Sequence, residues 1–189
     1  ITDTHRCVKM HIISRTLVTN IYIIDPLVLE TKGEEFLVAS AVDALCHAVE
    51  SYVSPIASPF TEIQSLRAIQ LIVQHLHRAL EDRSLDDLEQ LSIASTAAGM
   101  AFSNASLGAE HALAHSLGGL FDVLHGLVHP VLLPAVLHST VAPPAVLRDS
   151  LTRIESVVGR CTTRSPGATR SSPASTPVTV GPAKSGDSS

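Results

Sequence analysis

The chain has 189 residues, enough for one ordinary domain, or for one domain and a small remnant. Hydrophobic residues make up 45%, which excludes a wholly disordered chain, and a net charge of -5 excludes a nucleic-acid binder that depends on electrostatics. Cys7, Cys46 and Cys161 have no close spacing, which excludes a disulfide scaffold and a cysteine-based zinc knuckle and makes a reducing cytoplasm the expected compartment.

In chain order, Ile21-Tyr22-Ile23-Ile24 predicts a buried strand, stopped by Asp25-Pro26. From about residue 34 the pattern turns helical, with Phe36, Val38, Ala39, Val42, Leu45, Cys46 and Val49 close to a 3.6-residue period. Ser58-Pro59 reads as an N-cap with proline at the first helical position. Behind it Phe60, Ile63, Leu66, Ile69, Val73, Leu76 and Leu80 form one apolar stripe. Ser84 with Asp86 and Asp87 opens another helix, because acids in a first turn satisfy free N–H groups and the helix dipole.

Residues 91–109 carry no charge and are long enough to cross a bilayer, and the mean hydropathy of +0.28 raises the question. Ser92, Ser95, Thr96, Ser103, Asn104 and Ser106 would be costly in hydrocarbon, so the expectation is a buried helix and no membrane partner. A helix over about 107–117 is expected to stop at Gly118-Gly119. Another runs over about 125–138, kinked or interrupted by Pro130 and Pro134. Residues 147–158 are expected to form a last amphipathic helix. From Cys161 on, Ser, Thr, Pro and Gly offer almost nothing to bury, and the segment is expected to be disordered. The first residues carry no basic segment leading into an apolar one, so no signal peptide is expected there.

Ten histidines stand against two tyrosines and four phenylalanines, and five of the ten fall between 111 and 138. Two spacings carry chemistry. Asp43 and His47 sit four apart in a helical pattern, so a carboxylate and an imidazole share a face. His111 and His115 do the same, and a turn at Gly118-Gly119 would bring His125 back to the same point. Neutral imidazoles with one carboxylate suit Zn(II), Fe(II) or another first-row divalent ion. Spacing leaves open which of His111 and His115 binds. His129 and His138 read as surface or core histidines, His75 and His77 as solvated, and His5 and His11 belong to no constellation. Cys46 faces away from His47 and reads as a small packed residue.

Through these residues the sequence resembles the iron-containing, group III metal-dependent alcohol dehydrogenase family. The resemblance runs through Ala41-Val42-Asp43-Ala44-Leu45-Cys46-His47-Ala48-Val49-Glu50, Ser58-Pro59-Phe60-Thr61 and Ala98-Gly99-Met100-Ala101-Phe102-Ser103-Asn104. It is strongest over residues 111–126 and continues in Leu132-Leu133-Pro134. Upstream, Ile1-Thr2-Asp3, Lys9, Ser14 and Ile23-Ile24-Asp25-Pro26 also fit, so about residues 1–140 are covered.

The resemblance implies Asp43, His47, His111 and His125 as metal ligands. It puts His115 beside them as a proton-relay or substrate-orienting residue, and Phe102 and Lys9 near the nicotinamide cofactor. It implies Fe(II) or Zn(II), NAD(P), a small alcohol or aldehyde substrate and homo-oligomeric assembly. It implies a mainly α fold, a helical metal-binding bundle of the dehydroquinate synthase-like kind over 27–159. Residues 1–26 would be the remnant of an α/β dinucleotide-binding domain, and 160–189 a Ser/Thr/Pro-rich tail.

The sequence also departs from the family. All ten glycines lie at or after Gly33, so no strand, Gly-rich turn and helix unit is present to cradle a dinucleotide phosphate. Lys32-Gly33-Glu34-Glu35 replaces a Pro-rich approach, and Cys46 stands where Thr is usual. The chain opens on Ile1 without an initiator Met, and the expectation is a fragment lacking the cofactor loop. The competing expectation is a catalytically inactive truncated product that binds metal or acts as an interaction module. An unrelated helical metallohydrolase would call for a His-Asp dipeptide or a His-Glu-x-x-His helix, and neither occurs.

Overall fold

The computed structural model describes residues 2–3, 5–10, 14–139, 149, 152–154 and 156–158. Two short antiparallel strands, β1 (Thr2–Asp3) and β2 (Val8–Lys9), pair Thr2 with Lys9 and Asp3 with Val8. A 3-10 turn at Arg15–Leu17 and the short α1 (Leu27–Glu30) follow. The body consists of α2 (Glu34–Tyr52), α3 (Pro59–Glu81), α4 (Leu85–Ala105), α5 (Ala109–Phe121) and α6 (His125–Ser139). The fold is a mainly α helical bundle, as expected.

The long helices start where their sequences offer caps. The Ser58 side chain accepts from the Thr61 backbone N–H, and the Thr61 hydroxyl accepts from the Ser58 N–H, with Pro59 at the first helical position. Ser84 accepts from the Asp87 N–H to open α4. In α2, Gly33 is the N-cap and Glu34 and Glu35 complement the dipole.

Helices α2, α3 and α4 pack pairwise, α6 lies on α2 and α5, and β2 lies on α5. Their seam is built from small residues: Ala44, Ala48, Ala68, Ala94 and Ala98 are buried where the helices meet. Ile69, Leu71, Ile72 and Leu88 fill the space between, each contributing about 1.5–3 kcal/mol by leaving water. One polar contact is buried there. The Ser51 hydroxyl donates to the Ala48 carbonyl, so at 2.8 Å the Ser65 hydroxyl must donate to Ser51.

Several expectations need correction. Residues 21–24 form no strand and are exposed, Ile21 at 82% and Ile23 at 89%. A β-branched run reports only that burial would be favourable, not that a partner surface is present. Phe36 in α2, and Phe60 and Ile63 in α3, face outward, and the buried face of α3 is Ser65, Ala68, Ile69, Leu71, Ile72 and Ala79. Close helix approach selects the small side chains and leaves those bulky ones outside.

Gly118-Gly119 does not stop α5, which continues to Phe121 and ends at Asp122 with φ 52°. The glycines serve packing instead: a Cβ on Gly119 would meet the Cys7 carbonyl oxygen at 2.6 Å, so the β1–β2 segment can lie on the helix. Nor do Pro130 and Pro134 interrupt α6. They sit four residues apart on its exposed side, so hydrogen bonds are given up along one solvent-facing edge. No helix among the described residues is long and apolar enough to cross a membrane. The expected last helix is described only in part, at helical residues 149, 152–154 and 156–158, and the Ser/Thr/Pro-rich tail lies outside the described residues.

Candidate metal centre

Asp43, His47 and Glu50 stand at i, i+4 and i+7 on α2, one stripe facing α5 and α6. The start of α5 is fixed from this stripe. Its N-cap, Gly108, has no side chain to offer, and the Glu50 carboxylate accepts from the Glu110 N–H at 2.9 Å and the His111 N–H at 3.4 Å. The same carboxylate lies 2.6 Å from His111 Nδ1. Glu50 is held below its ordinary range: burial pushes it up, but hydrogen bonds from His111 and from backbone N–H groups outweigh that. An ionised Glu50 can only accept, so Nδ1–H donates and Nε2 of His111 faces Asp43 at 3.3 Å.

The start of α6 is fixed by close approach. A Cβ on Gly126 would strike the Ala39 carbonyl of α2, so glycine alone lets α6 enter this near. His125 and His129 then share one face, four residues apart. Around the Oδ1 atom of Asp43 lie the Nε2 atoms of His129 at 2.9 Å, His111 at 3.3 Å, His47 at 3.6 Å and His125 at 3.8 Å. Ligand atoms of Asp43, His111, His125 and His129 all lie within 4.8 Å of one another.

The other predicted site residues surround this group. Phe102 of α4 stacks on the His47 ring, centroids 4.4 Å apart, and His47 stacks on His111 at the same distance. The His115 ring meets His125 edge-on at 4.9 Å. Lys9 of β2 lies against Gly118, and its charge acts on His125.

Burial pushes Asp43 up, but the hydrogen bond with His111, the close approach of His129 and the charge of His47 hold it far below the usual carboxylate range. Burial also pushes Glu110 up, but His111 and His129 hold it down to about 2. Burial lowers His47 and His125 to about 4, keeping both imidazoles neutral, the form in which an imidazole can ligate a metal. His111 goes the other way. Its burial is outweighed by Asp43, Glu110 and Glu50, which raise it to about 11, so a cation binding there would have to displace its second proton.

The residues fit a first-row divalent ion. Bonds of about 2.1 Å put neighbouring donors about 3.0 Å apart at a right angle and about 3.4 Å apart at a tetrahedral one. The separations from Asp43 to His129 and His111, 2.9 and 3.3 Å, match those values, and those to His47 and His125, 3.6 and 3.8 Å, are wider. The buried Nδ1 of His125 and Nε2 of His129 have no hydrogen-bond partner, and imidazoles with a carboxylate are the donor set of such ions.

Three residues of this centre were not singled out from sequence: Glu50, Glu110 and His129. His129, read as a surface or core histidine, is fully buried with its ring in the cluster. Its i+4 spacing from His125 carried the signal, masked by the expectation that Pro130 interrupts the helix. His75, read as solvated, is largely buried, with Nδ1 2.6 Å from Asp87 Oδ1 between α3 and α4. His77 and His138 are exposed, as is His5, and His11 lies outside the described residues. Cys46 is fully buried, its thiol pushed up by burial and by Glu110, Asp43 and Glu50, and it packs as a small apolar residue.

Comparison with known proteins identifies the family. Residues 37–174 match the Fe-containing alcohol dehydrogenase family, C-terminal. A 1,3-propanediol dehydrogenase of Klebsiella pneumoniae is 41% identical over 151 residues, 79% of this chain and 39% of the relative. An NAD-dependent methanol dehydrogenase of Bacillus methanolicus is 34% identical over 137 residues, 72% of this chain and 36% of the relative. The chain thus spans about two-fifths of the length of these curated relatives. Among solved structures, an iron-containing alcohol dehydrogenase from Thermococcus thioreducens superposes with a TM-score of 0.73 at 28% identity, covering 78% of this chain and 38% of that one. A 1,3-propanediol oxidoreductase superposes with a TM-score of 0.62 at 38% identity, covering 73% of this chain and 40% of that one. The chain belongs to the Fe-containing alcohol dehydrogenase family, matching its C-terminal part.

Proposed function

We propose that this chain is the metal-binding half of an NAD(P)-linked alcohol dehydrogenase, which interconverts small alcohols and their aldehydes or ketones. Asp43, His47, His111 and His125 hold Fe(II) or Zn(II). The observation that carries this reading is the set of imidazole Nε2 atoms, from α2, α5 and α6, around one carboxylate oxygen. Relatives named for methanol, 1,3-propanediol and butanol support small alcohols as the substrate class. The methanol enzyme is named NAD-dependent and the butanol enzyme NADPH-dependent, so both nicotinamides stay within the proposal.

When bound, the divalent ion supplies Lewis acidity toward an alcohol or carbonyl oxygen, and the nicotinamide supplies the hydride chemistry. The chain's own residues do the rest. Glu50 fixes the tautomer and direction of His111. Phe102 packs on His47 and limits how that ring can turn. His115, whose ring meets that of His125, would take up or hand on the alcohol proton. Phe102 and Lys9 would line the nicotinamide side.

The test is metal analysis of anaerobically loaded protein, with turnover assays on short alcohols and NAD+ or NADP+. About one ion per chain, lost in a His111→Ala, His125→Ala double variant, is expected. An empty wild type would sink the metal assignment.

A second reading is a catalytically inactive product that binds metal or serves as an interaction module. It is favoured by the exposed apolar run of Leu17, Val18, Ile21 and Ile23. Alcohol oxidation by the purified chain with NAD+ would exclude it.

A further inference from the structure

We propose that His129 is an additional ligand of the ion, with Glu110 as the residue that aims it. This rests on the metal reading above.

His129 and Glu110 are both 0% exposed. Glu110 Oε1 lies 2.7 Å from His129 Nδ1, and as a carboxylate it accepts the Nδ1–H. That leaves Nε2 beside the Asp43 carboxylate. Nε2 stands 2.9 Å from Asp43 Oδ1 yet makes no hydrogen bond. Atoms this close need either a second proton on His129, which the neighbouring carboxylates favour, or a cation beside both. The separation is also that of two donors at about a right angle on one first-row ion.

The alternative is a core histidine satisfied by its neighbours. It accounts for Nδ1, and for Nε2 only if the ring carries a second proton beside Asp43, the proton that an ion would displace. His125 supports the ligand reading: its ring lies 4.6 Å from that of His129, so α6 presents both to the same point. Glu110 to His129 then repeats the arrangement of Glu50 to His111, a carboxylate behind each imidazole. Asp43, His111, His125 and His129 are the set whose ligand atoms lie within 4.8 Å of one another, and with His47, 3.6 Å from Asp43, the ion would have five protein donors. That number suits Fe(II) or Co(II) better than tetrahedral Zn(II).

The test uses the full chain loaded with Co(II), read by equilibrium metal titration and by visible d–d absorption. Wild type should show the weaker bands of five or more donors. His129→Asn should shift them toward the intense bands of a four-coordinate ion and weaken Co(II) binding about ten- to a hundredfold. Glu110→Gln should weaken binding about tenfold. Unchanged affinity and spectrum in a folded His129→Asn, with binding abolished in Asp43→Ala, would overturn the role of His129 and leave the metal site standing. If His129→Asn does not fold, an unchanged Glu110→Gln would overturn it equally. A wild type that takes up no Co(II) overturns the metal reading itself, and this inference with it.

Discussion

Glu50 reaches from α2 to His111 at the start of α5, with Oε2 2.6 Å from Nδ1, while its Oε1 accepts the Glu110 N–H at 2.9 Å. One carboxylate therefore caps a helix and orients a ligand of the proposed site.

That double role makes Glu50→Gln informative. The amide oxygen can still accept from the Glu110 N–H, but the NH2 group then faces the Nδ1–H of His111, donor against donor. Metal affinity should fall about ten- to a hundredfold. Stability should fall by about 1–3 kcal/mol. Metal titration and denaturant unfolding read the two losses separately, and a variant that loses neither would refute both roles.

Gly126→Ala should separate α6 from α2. The added methyl collides with the Ala39 carbonyl, a backbone atom that cannot swing aside. A loss of about 1–3 kcal/mol in stability is expected, with weaker metal binding because His125 and His129 both ride on this helix. Gly99→Ala is the control, since a Cβ there meets nothing within 4 Å. Thermal unfolding of the pair should show only the first destabilised.

Metal should stabilise the fold as well as bind it, because the proposed ligands come from three helices. At a free concentration about a hundred times Kd, a cation binding only the folded state adds about 2.7 kcal/mol. The midpoint of thermal unfolding should rise with added Fe(II) or Zn(II) and fall back with chelator. In Asp43→Ala the midpoint should not respond. A metal response retained in that variant would move the site elsewhere.

The α3–α4 junction should carry an acid-sensitive share of stability. Asp87 accepts from Ser84 at 2.6 Å and Arg78 at 2.7 Å, and lies 2.6 Å from His75. Burial raises its pKa, but Ser84, His75 and Arg78 outweigh burial and hold it below the ordinary 3.8. A lowered folded-state value means the unfolded chain takes up the proton first as pH falls. The stabilisation is complete above about 3.8 and is lost as pH drops through the folded-state value. Asp87→Asn should therefore be less stable than wild type at pH 6, and the gap should close in strong acid. A gap constant from pH 6 to pH 2 would count against this network.

By itself, the sequence determined the helical class, the caps at Ser58 and Ser84, and the shared face of Asp43 and His47. These are local: a cap is decided by residues three apart, and a helical face by spacing alone. The shared face of His111 and His115 was legible for the same reason. What the tertiary structure decided is which faces meet. Glu50 and His111 are 61 residues apart, and Asp43 and His111 are 68 apart. No periodicity reports what lies opposite a face. Gly118-Gly119 looked like a stop because local rules know glycine as a helix end, whereas here it admits the backbone of Cys7. Residues 21–24 looked buried because composition records a preference, not a partner. His129 joined the centre only once α6 ran unbroken past Pro130 and Gly126 let it close on α2.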